Sequence, residues 1–397
     1  MLIYSHDTFG LGHLRRCLKI SQTLKGAYPD LSLLLVTGSP QVHRFQLPPG
    51  IDYIKLPAVR KTADEEYEPR SMGTSFQRAF RMRSQLLLET VKEYRPHVLL
   101  VDHSPLGMKG EMLAALDWLK GHRRETVTIL GLRDVIDEPD KTIAAWNSQG
   151  VFQALRSYYD NIWIYGSPRV FDPTIAYAFP DDIKNKTKFI GYITEPQKSI
   201  QAPNNHDGGK FVVVTIGGGD GAGEAVVGTF LEMLKEHRSD IDFDSLIITG
   251  PFVSNELWRR FRREERGLPT KIRKFVTHTR PYLLRSHLVI STGGYNTTTE
   301  ILSYAKRALI IPRMLYRNEQ YLRASRLAEL GFLTLMSPES LTSGKLYTAI
   351  QELLASPDEP LSRARAEKII ELEGNKKLLE LCDKIFVNLS SNKENVE

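Results

Sequence analysis

Short apolar runs alternate with longer amphipathic segments along the chain. Runs such as residues 97–102 (HVLLVD) and 126–132 (TVTILGL) are continuously apolar, as strands of a parallel sheet buried on both faces must be. Between the runs, apolar positions recur at helical spacing. The pattern predicts parallel βα units. In the first half, the predicted strands are residues 1–5, 31–36, 51–56, 97–102, 126–132 and 161–165, and the predicted helices are 13–27, 71–94, 108–121 and 144–157.

The alternation is interrupted at residues 191–210, which are rich in Pro, Asn, Gly and charge and have no periodicity. Such a segment is typical of a link between domains. The pattern then resumes. The predicted strands of the second half are residues 211–216, 245–249, 271–276, 287–291 and 308–311, and the predicted helices are 221–237, 254–265, 296–305, 318–330 and 341–355, with two more between about 360 and 390.

These elements predict an α/β protein with two Rossmann-like, doubly wound parallel-sheet domains facing a cleft. A chain of 397 residues also exceeds what one hydrophobic core usually covers. Because ligands bind outside the carboxyl ends of strands in open sheets, two such sheets indicate a two-substrate enzyme. The predicted divisions are an N-terminal domain over residues 1–190, a linker over 191–207, a C-terminal domain over 208–372, and a C-terminal helix and tail over 373–397.

Composition narrows the class of protein. Hydrophobic residues make up 41% and charged residues 25%, which is ordinary for a soluble globular protein. The two cysteines, Cys17 and Cys382, are far apart and lack metal-ligand spacing, so neither a disulfide framework nor a zinc site is expected. Neither a signal peptide nor an apolar run of about 20 residues is found, and we expect a cytoplasmic protein.

The net charge of +6 favours an anionic partner. Zinc-finger, basic-zipper and ribonucleoprotein signatures are absent from the sequence, so nucleic acid is not expected to be that partner.

Residues 212–226 (VVVTIGGGDGAGEAV) contain a glycine-rich turn between a buried strand and a helix. Gly217, Gly218 and Gly219 would let the backbone approach a ligand, and free N–H groups at a helix start attract phosphate. The lysine of a P-loop is missing, which excludes a P-loop ATPase. The stretch predicts phosphate binding, and a turn that merely needs positive φ is the alternative.

Residues 289–302 (VISTGGYNTTTEIL) repeat this arrangement. Thr292, Gly293 and Gly294 follow a strand, and a helix opens directly after them, so amides and hydroxyls can face an anion. Glu300 lies one turn inside that helix. Its carboxylate can accept two hydrogen bonds from a ribose diol, or it can simply complement the helix dipole.

Residues 310–331 (IIPRMLYRNEQYLRASRLAELG) place Arg313 in a loop after the next strand. An acid and an amide, Glu319 and Gln320, then open a helix. Such a pair can contact the hydroxyl groups of a sugar. The alternative is an ordinary helix start, with Asn318 as the N-cap and Glu319 favoured by the helix dipole.

In this order, the three stretches resemble the C-terminal half of the GT-B glycosyltransferases. They are most similar to the family 28 group, which contains the lipid-linked N-acetylglucosaminyltransferase of peptidoglycan synthesis. The resemblance covers most of residues 205–355. It implies a nucleotide-diphosphate sugar, commonly UDP-linked, as the donor that the C-terminal domain binds. It implies that Gly218 and Gly219 approach the diphosphate and that Thr292, Gly293 and Gly294 lie against the phosphates. Glu300 would hold the ribose, the main chain around Val276 would contact the base, and Glu319 and Gln320 would contact the sugar. Gly217, Asn296 and Arg313 are further candidate donor-binding residues.

The N-terminal domain would bind the acceptor. In the stretch GLGHLRRC, residues 10–17, His13 follows the turn between the first strand and the first helix. GT-B enzymes commonly place a histidine of this turn in the cleft, so the resemblance implies that His13 takes the proton from an acceptor hydroxyl. His6 and Asp7, at the end of the same strand, are alternatives. So is a histidine that merely caps the helix.

A histidine that acts as a base is usually oriented by a carboxylate. Asp102 and Asp134 both follow apolar strands at the ligand-binding edge, and both could also be ordinary turn formers. Arg133 could reach a phosphate or an acidic acceptor. Gly10 and Gly12 would let the backbone approach an acceptor or the leaving diphosphate.

The sequence therefore predicts transfer of a sugar from a nucleotide-diphosphate sugar to an acceptor hydroxyl, with inversion and without a metal or other cofactor. GxGHxxRC also resembles the UDP-sugar hydrolase of the pseudaminic acid pathway, so hydrolysis is the main alternative, and a non-catalytic nucleotide-sugar-binding module is another. DIDFD, residues 240–244, has Asp-x-Asp spacing but precedes a strand, and metal binding is not expected there.

The acceptor is not identified by the sequence. The first turn lacks the Gly-Thr-Gly-Gly-His spelling of the peptidoglycan enzyme, and the loop over residues 60–75 shows no likeness to it. Residues 75–95 predict a basic amphipathic helix, which suits either a solvated face or contact with a membrane that holds a lipid-linked acceptor. Peripheral location at the inner face of a membrane and the oligomeric state both stay open.

Overall fold

The computed structural model describes residues 1–7, 10–61, 66–195, 209–217, 223–313, 318–356 and 369–394. The chain divides into two compact units. The first unit consists of Met1–Pro196 and Glu373–Glu397, and the second consists of Gln197–Leu372. Each unit is built on one all-parallel sheet with helices between its strands, which confirms the predicted α/β class with two Rossmann-like domains.

The first unit contains a seven-stranded sheet in the order β3-β2-β1-β6-β7-β8-β9. The direction of strand succession reverses between β1 and β6, which are parallel neighbours. Loops that follow these two strands therefore lie side by side at the carboxyl edge, where doubly wound sheets bind ligands. The strands are β1 (Leu2–Ser5), β2 (Leu33–Thr37), β3 (Ile51–Lys55), β6 (Val98–Asp102), β7 (Val127–Arg133), β8 (Asn161–Tyr165) and β9 (Thr187–Phe189), with a separate antiparallel pair of β4 (Val59–Lys61) and β5 (Tyr67–Pro69).

Most predicted helices of the first unit are present, but the single helix predicted over residues 144–157 is wrong. Two helices occupy this region because Gly150 adopts a left-handed conformation, with φ of 64°, between them. Apart from the C-terminal helix described below, the α-helices of this unit are α1 (Gly12–Ala27), α2 (Phe76–Tyr94), α3 (Leu113–His122), α4 (Pro139–Ser148), α5 (Val151–Tyr158), α6 (Pro173–Ala176) and α7 (Asp181–Lys184).

A buried ion pair anchors α2 to the first sheet. Arg83 of α2 donates from Nε to Glu111 Oε2 over 2.5 Å and from Nη2 to Glu111 Oε1 over 2.6 Å. The hydroxyl of Tyr4, in β1, donates to the same carboxylate. All three side chains are fully buried, so each charge depends on its partner for stabilisation.

The second unit contains a six-stranded sheet in the order β12-β11-β10-β13-β14-β15. Its reversal point lies between β10 and β13. The strand predicted over residues 271–276 ends at Arg273, which leaves Val276 in the following loop. The strands are β10 (Lys210–Thr215), β11 (Phe243–Ile248), β12 (Thr270–Arg273), β13 (Leu288–Ser291), β14 (Ala308–Ile310) and β15 (Thr334–Leu335), and the helices are α8 (Glu224–Glu236), α9 (Asn255–Glu264), α10 (Arg280–Arg285), α11 (Tyr295–Ser303), α12 (Glu319–Glu329) and α13 (Ser343–Ala355).

The last helix, α14 (Gly374–Glu394), packs in the first unit. Asn375 donates from Nδ2 to Thr23 Oγ1 of α1 and to the Thr194 carbonyl, each over 3.0 Å. Tyr28 donates to Asp383 over 2.6 Å. The sequence predicts two helices between about 360 and 390. The first part of that range, up to residue 368, lies outside the described part of the chain. From residue 374 onward there is one continuous helix, α14.

The core of the first unit extends beyond β9. Tyr192 and Ile193 are fully buried, and the Thr194 amide donates to Asn375. Among the helices within the described residues, none is long and apolar enough to cross a membrane.

Candidate active site

The reversal point of the first sheet brings together residues that are distant in sequence. β1 and β6 are in register from Leu2 opposite Leu99 to Tyr4 opposite Val101. Asp102 ends β6, and α1 begins at the same edge just after the loop that follows β1. The side chain of His13, the second residue of α1, therefore reaches the end of β6.

His13 and Asp102 form a hydrogen-bonded pair. Nδ1 of His13 lies 2.6 Å from Oδ2 of Asp102, and their side chains are 13% and 0% exposed. Because an ionised carboxylate can only accept hydrogen bonds, Nδ1 carries the proton and Nε2 keeps the lone pair. An imidazole in this tautomer, fixed by its carboxylate partner, can accept a proton at Nε2.

His13 is held in the neutral form. Burial lowers the pKa of its imidazole to about 4, although the hydrogen bond and negative charge of Asp102 act in the opposite direction. The positive charges of Arg16 and Arg133 lower this pKa further. The positive end of the α1 dipole acts in the same sense. At neutral pH the imidazole is thus an unprotonated base.

Arg16 completes this cluster. Its guanidinium donates from Nε to Asp102 Oδ1 and from Nη2 to Asp102 Oδ2, both over 2.8 Å. Nη2 also lies 3.1 Å from His13 Nδ1. Burial by itself would raise the pKa of Asp102, but the Arg16 charge and the hydrogen bond from His13 hold it below its ordinary value. Sequence reasoning missed Arg16, although its spacing of three residues from His13 on one helix places both on one face.

Two more imidazoles surround His13. The ring centroids of His6 and His103 lie 5.7 Å and 5.0 Å from that of His13. His103 has φ of 71°, a conformation that is uncommon for non-glycine residues and often marks functional loops. Sequence reasoning missed His103, and its position directly after the strand-end Asp102 is the signal that could have found it.

Asp7, an alternative to His13, has a different environment. Its buried carboxylate accepts from the Leu14 amide over 3.1 Å and from the Thr37 hydroxyl. Burial raises the pKa of Asp7 to about 6. These contacts tie the first turn of α1 to β2.

The two carboxylates predicted to orient the histidine have different partners. Asp102 is bonded to His13, whereas the buried Asp134 accepts from the Tyr192 hydroxyl over 2.9 Å and from the Val135 amide over 2.8 Å. Arg133, at the end of β7, is 9% exposed, and its charge acts on His13.

The glycines of the first turn differ in position. Gly10 has φ of 71° and Gly12 is the exposed first residue of α1. Thr8 and Phe9, which precede them, lie outside the described residues.

In the second unit, the loops after β10 and β13 are neighbours because Thr215 and Ser291 are in register. Gly217 has φ of 78°, and an added Cβ there would lie 3.9 Å from Thr292 Oγ1. Gly293 has φ of 75° and packs so tightly that a Cβ would lie 2.7 Å from Ile310 Cγ2. The structure thus brings these two loops together. Gly218 and Gly219 lie outside the described residues.

Helix α11 is polar in sequence but buried. Gly294 is its N-cap, and Asn296 is 6% exposed. Glu300 is 2% exposed and accepts at Oε2 from the Thr279 hydroxyl over 2.9 Å. Val276, from the loop after β12, is half-buried. The Glu300 carboxylate is therefore buried and oriented by the N-cap residue of α10.

The acid and amide predicted at the start of α12 are both buried. Glu319 is 8% exposed, and Gln320 accepts at Oε1 from the Arg313 amide over 3.0 Å. Arg323, one turn later, is buried against the ring of Tyr295 of α11, with its Cζ 5.5 Å from the ring centroid. Sequence reasoning missed this link between α11 and α12.

The Asp-x-Asp stretch, residues 240–244, lies away from these loops. Asp242 pairs with Lys210 over 2.6 Å at the amino end of the second sheet. Within the described ranges, no group of three or more His, Cys, Asp or Glu side chains could hold a metal ion.

Comparison with known proteins supports the resemblance noted from the sequence. Residues 212–380 match the model of the glycosyltransferase family 28 C-terminal domain. A UDP-N-acetylglucosamine–N-acetylmuramyl-(pentapeptide) pyrophosphoryl-undecaprenol N-acetylglucosamine transferase from Thermoanaerobacter sp. (strain X514) is 25% identical over 231 residues. That match covers 54% of this chain and 62% of the relative, which is less than two thirds of its length.

Solved structures share the fold over nearly the whole chain. The glycotransferase of kitacinnamycin superposes with a TM-score of 0.62 at 16% identity and covers 98% of both chains. Acinetobacter baumannii MurG superposes with a TM-score of 0.54 at 12% identity, over 97% of this chain and 98% of MurG. At these identities the likeness concerns the fold, and it confirms the predicted GT-B architecture.

Proposed function

Because the chain has the GT-B fold and resembles the family 28 glycosyltransferases, we propose that it transfers a sugar from a nucleotide-diphosphate sugar to an acceptor hydroxyl. The observation that carries this proposal is the pairing of His13 with Asp102 at the reversal point of the first sheet. It supplies a neutral, oriented imidazole where ligands of such sheets bind.

The donor in this proposal is UDP-linked and bound by the second unit. Support comes from the neighbouring glycine loops after β10 and β13, from the buried Glu300 carboxylate, and from the name of the curated relative, which specifies a UDP-sugar donor. Main-chain amides at these loops would bind the diphosphate. Glu300 would hold the ribose diol through its buried carboxylate. Glu319 and Gln320 would contact the sugar.

The chemistry is a single displacement. As the acceptor oxygen bonds to the anomeric carbon, its proton passes to Nε2 of His13 and the bond between that carbon and the diphosphate oxygen breaks. The nucleoside diphosphate leaves with the bonding electrons, and the anomeric configuration inverts. Main-chain amides and Arg313 would stabilise the departing charge, so this scheme requires no metal ion.

The acceptor we propose is lipid-linked and presented at a membrane surface. The curated relative carries a pyrophosphoryl-undecaprenol acceptor in its name. On α2, Arg78, Met82 and Leu86 recur every fourth residue along one exposed face, and Met82 and Leu86 are 38% and 40% exposed. Apolar and basic side chains on one helix face favour contact with anionic lipid.

The test begins with donor binding and ends with turnover. Nucleoside diphosphates and their sugars are screened by thermal shift, in which a ligand at 100 times its Kd adds about 2.7 kcal/mol of stability. The bound sugar nucleotide is then incubated with membrane lipid extract, and both nucleotide release and sugar incorporation are measured. We expect both to require His13, and to be lost in His13→Ala but retained in His43→Ala, a matched exposed control.

Two results would contradict this proposal. Nucleotide release without incorporation into any acceptor, still dependent on His13, would indicate a hydrolase. Tight binding of a sugar nucleotide with neither release nor incorporation would indicate a binding module.

A further inference from the structure

A third side chain, that of Arg16, is bonded to the pair of His13 and Asp102, and the proposed chemistry does not require it. Arg16 is 1% exposed and forms a two-pronged ion pair with Asp102, which is fully buried. A histidine and a carboxylate are sufficient to orient a base. A buried arginine on the same carboxylate therefore calls for its own explanation.

Arg16 also contacts an aromatic ring. Its Cζ lies 5.5 Å from the ring centroid of Tyr165, which ends β8. Tyr165 in turn packs against Gly131 of β7, where an added Cβ would lie 1.9 Å from the tyrosine hydroxyl. A glycine in a buried strand interior weakens the strand, and here it makes room for the ring that supports Arg16. The position of the Arg16 side chain is thus fixed by Asp102 of β6 and Tyr165 of β8, and by the space that Gly131 of β7 leaves for the tyrosine ring.

The geometry gives Arg16 two effects on the pair. First, a buried carboxylate without a cation would tend to become protonated, and the two hydrogen bonds from Arg16 keep Asp102 ionised and fixed. Second, the guanidinium offsets the carboxylate charge next to His13, since Nη2 lies 3.1 Å from Nδ1. Without Arg16, the buried pair of His13 and Asp102 would carry an uncompensated negative charge and would take up a proton at higher pH, shared between the carboxylate and the imidazole.

We propose that Arg16 is a positioning residue of the pair: it fixes Asp102 as the hydrogen-bond acceptor of His13, and its guanidinium offsets the carboxylate charge beside the imidazole. This inference rests on the proposed role of His13 as the base. Among the described residues, the charged and titratable groups around the His13–Asp102 pair are Arg16 from α1, Arg133 from β7, His103 from the loop after β6, His6 from the loop after β1, and Asp7 from that loop, which acts on Asp102.

The experiment is a titration of the His13 imidazole by 15N NMR in the full-length protein without substrate. It reads protonation and tautomer directly, so it remains informative even if the protein transfers no sugar. Three variants are compared with wild type. Arg16→Met removes the charge, Arg16→Lys keeps the charge but loses the two-pronged geometry, and Arg15→Met removes a neighbouring charge from the same turn as a matched control.

We expect wild-type His13 to be the Nδ1–H tautomer at neutral pH and to titrate in the acidic range. In Arg16→Met the midpoint should rise by about 1–3 pH units, as expected when an ionic neighbour within a few ångströms is lost. Arg15→Met should leave it within about 0.5 pH units. Arg16→Lys should also titrate in the acidic range. Its turnover should nevertheless fall, because an ammonium cannot reproduce the fork.

The proposal is overturned if Arg16→Met titrates like wild type, or if wild-type His13 titrates near its ordinary value. Should Arg16→Met fail to fold, Arg16→Gln, which also removes the charge, takes its place: a raised midpoint supports the charge effect, and a wild-type midpoint refutes it. Where turnover is measurable, the acid limb of kcat/KM must move with the NMR midpoint. A residue with a purely structural role would lower the yield of folded protein without moving either value.

Discussion

Replacing Asp102 by Asn tests the centre of the site with almost no change in size. The carboxylate accepts three hydrogen bonds, two at Oδ2 from His13 and Arg16 and one at Oδ1 from Arg16. An amide can accept at one end only, because its NH2 group is a donor. In the better orientation its NH2 group faces Nε of Arg16, where 2.8 Å now separates donor and acceptor.

Two magnitudes follow from these contacts. Asp102 is 0% and Arg16 is 1% exposed, and removing one partner of a buried ion pair costs about 3–5 kcal/mol of folding free energy. His13 also loses the acceptor that fixes its tautomer. Proton transfer by a positioned base contributes about 10²- to 10⁴-fold, so kcat/KM should fall within that range. The acid limb of the profile of kcat/KM against pH should not shift to higher pH, because loss of Asp102 removes a contribution that raises the pKa of His13.

Calorimetry measures the first effect, and nucleotide release between pH 4.5 and 8.5 measures the second. Asp117→Asn is the matched control because Asp117 is exposed and pairs with the Tyr158 hydroxyl over 2.6 Å; it should change stability by less than about 0.5 kcal/mol. Wild-type turnover in Asp102→Asn would refute the assignment of the pair as the base. Unchanged stability would refute the argument from buried charge.

Three further outcomes are expected. Glu111→Gln leaves the buried Arg83 guanidinium without its carboxylate and should lower the free energy of unfolding in urea by about 3–5 kcal/mol. Glu68→Gln, in an exposed ion pair with Arg60, should lower it by less than about 1 kcal/mol. Equal losses in the two variants would contradict the reasoning. Burial raises the pKa of Asp7 from 3.8 to about 6, so the Asp7 contribution to stability falls as pH rises from about 4 to about 6, while the lowered pKa of His13 contributes in the opposite direction. Stability should therefore increase more steeply with pH in Asp7→Asn than in wild type, and an unchanged slope counts against the argument. Gly293→Ala places a methyl group at φ of 75°, 2.7 Å from Ile310 Cγ2. It should lower the free energy of unfolding by at least about 1–3 kcal/mol and weaken nucleotide binding measured by thermal shift. Gly344→Ala in α13, where the added Cβ meets no atom within 4 Å, should be neutral or stabilising, and the reverse order of stabilities would refute the argument.

The strand–helix alternation was legible in the sequence because a strand buried on both faces must be apolar throughout, and such runs are local. The turns after β10 and β13 were also found from the sequence, because the glycines that indicate them are a local signal as well. The break between α4 and α5 was missed since a single Gly150 in an amphipathic stretch is compatible with either one helix or two.

The partners of the charged side chains depended on the tertiary structure. Asp102 and Asp134 both follow apolar strands and looked equivalent in the sequence, but the order of strands in the sheet sets β6, and not β7, beside β1 and the start of α1. Asp102 therefore meets His13, and Asp134 meets Tyr192. Local chemistry specifies which groups are present at the edge of a sheet. Their pairing, and with it the protonation state of His13, comes from contacts between residues up to 89 positions apart, which no local pattern encodes.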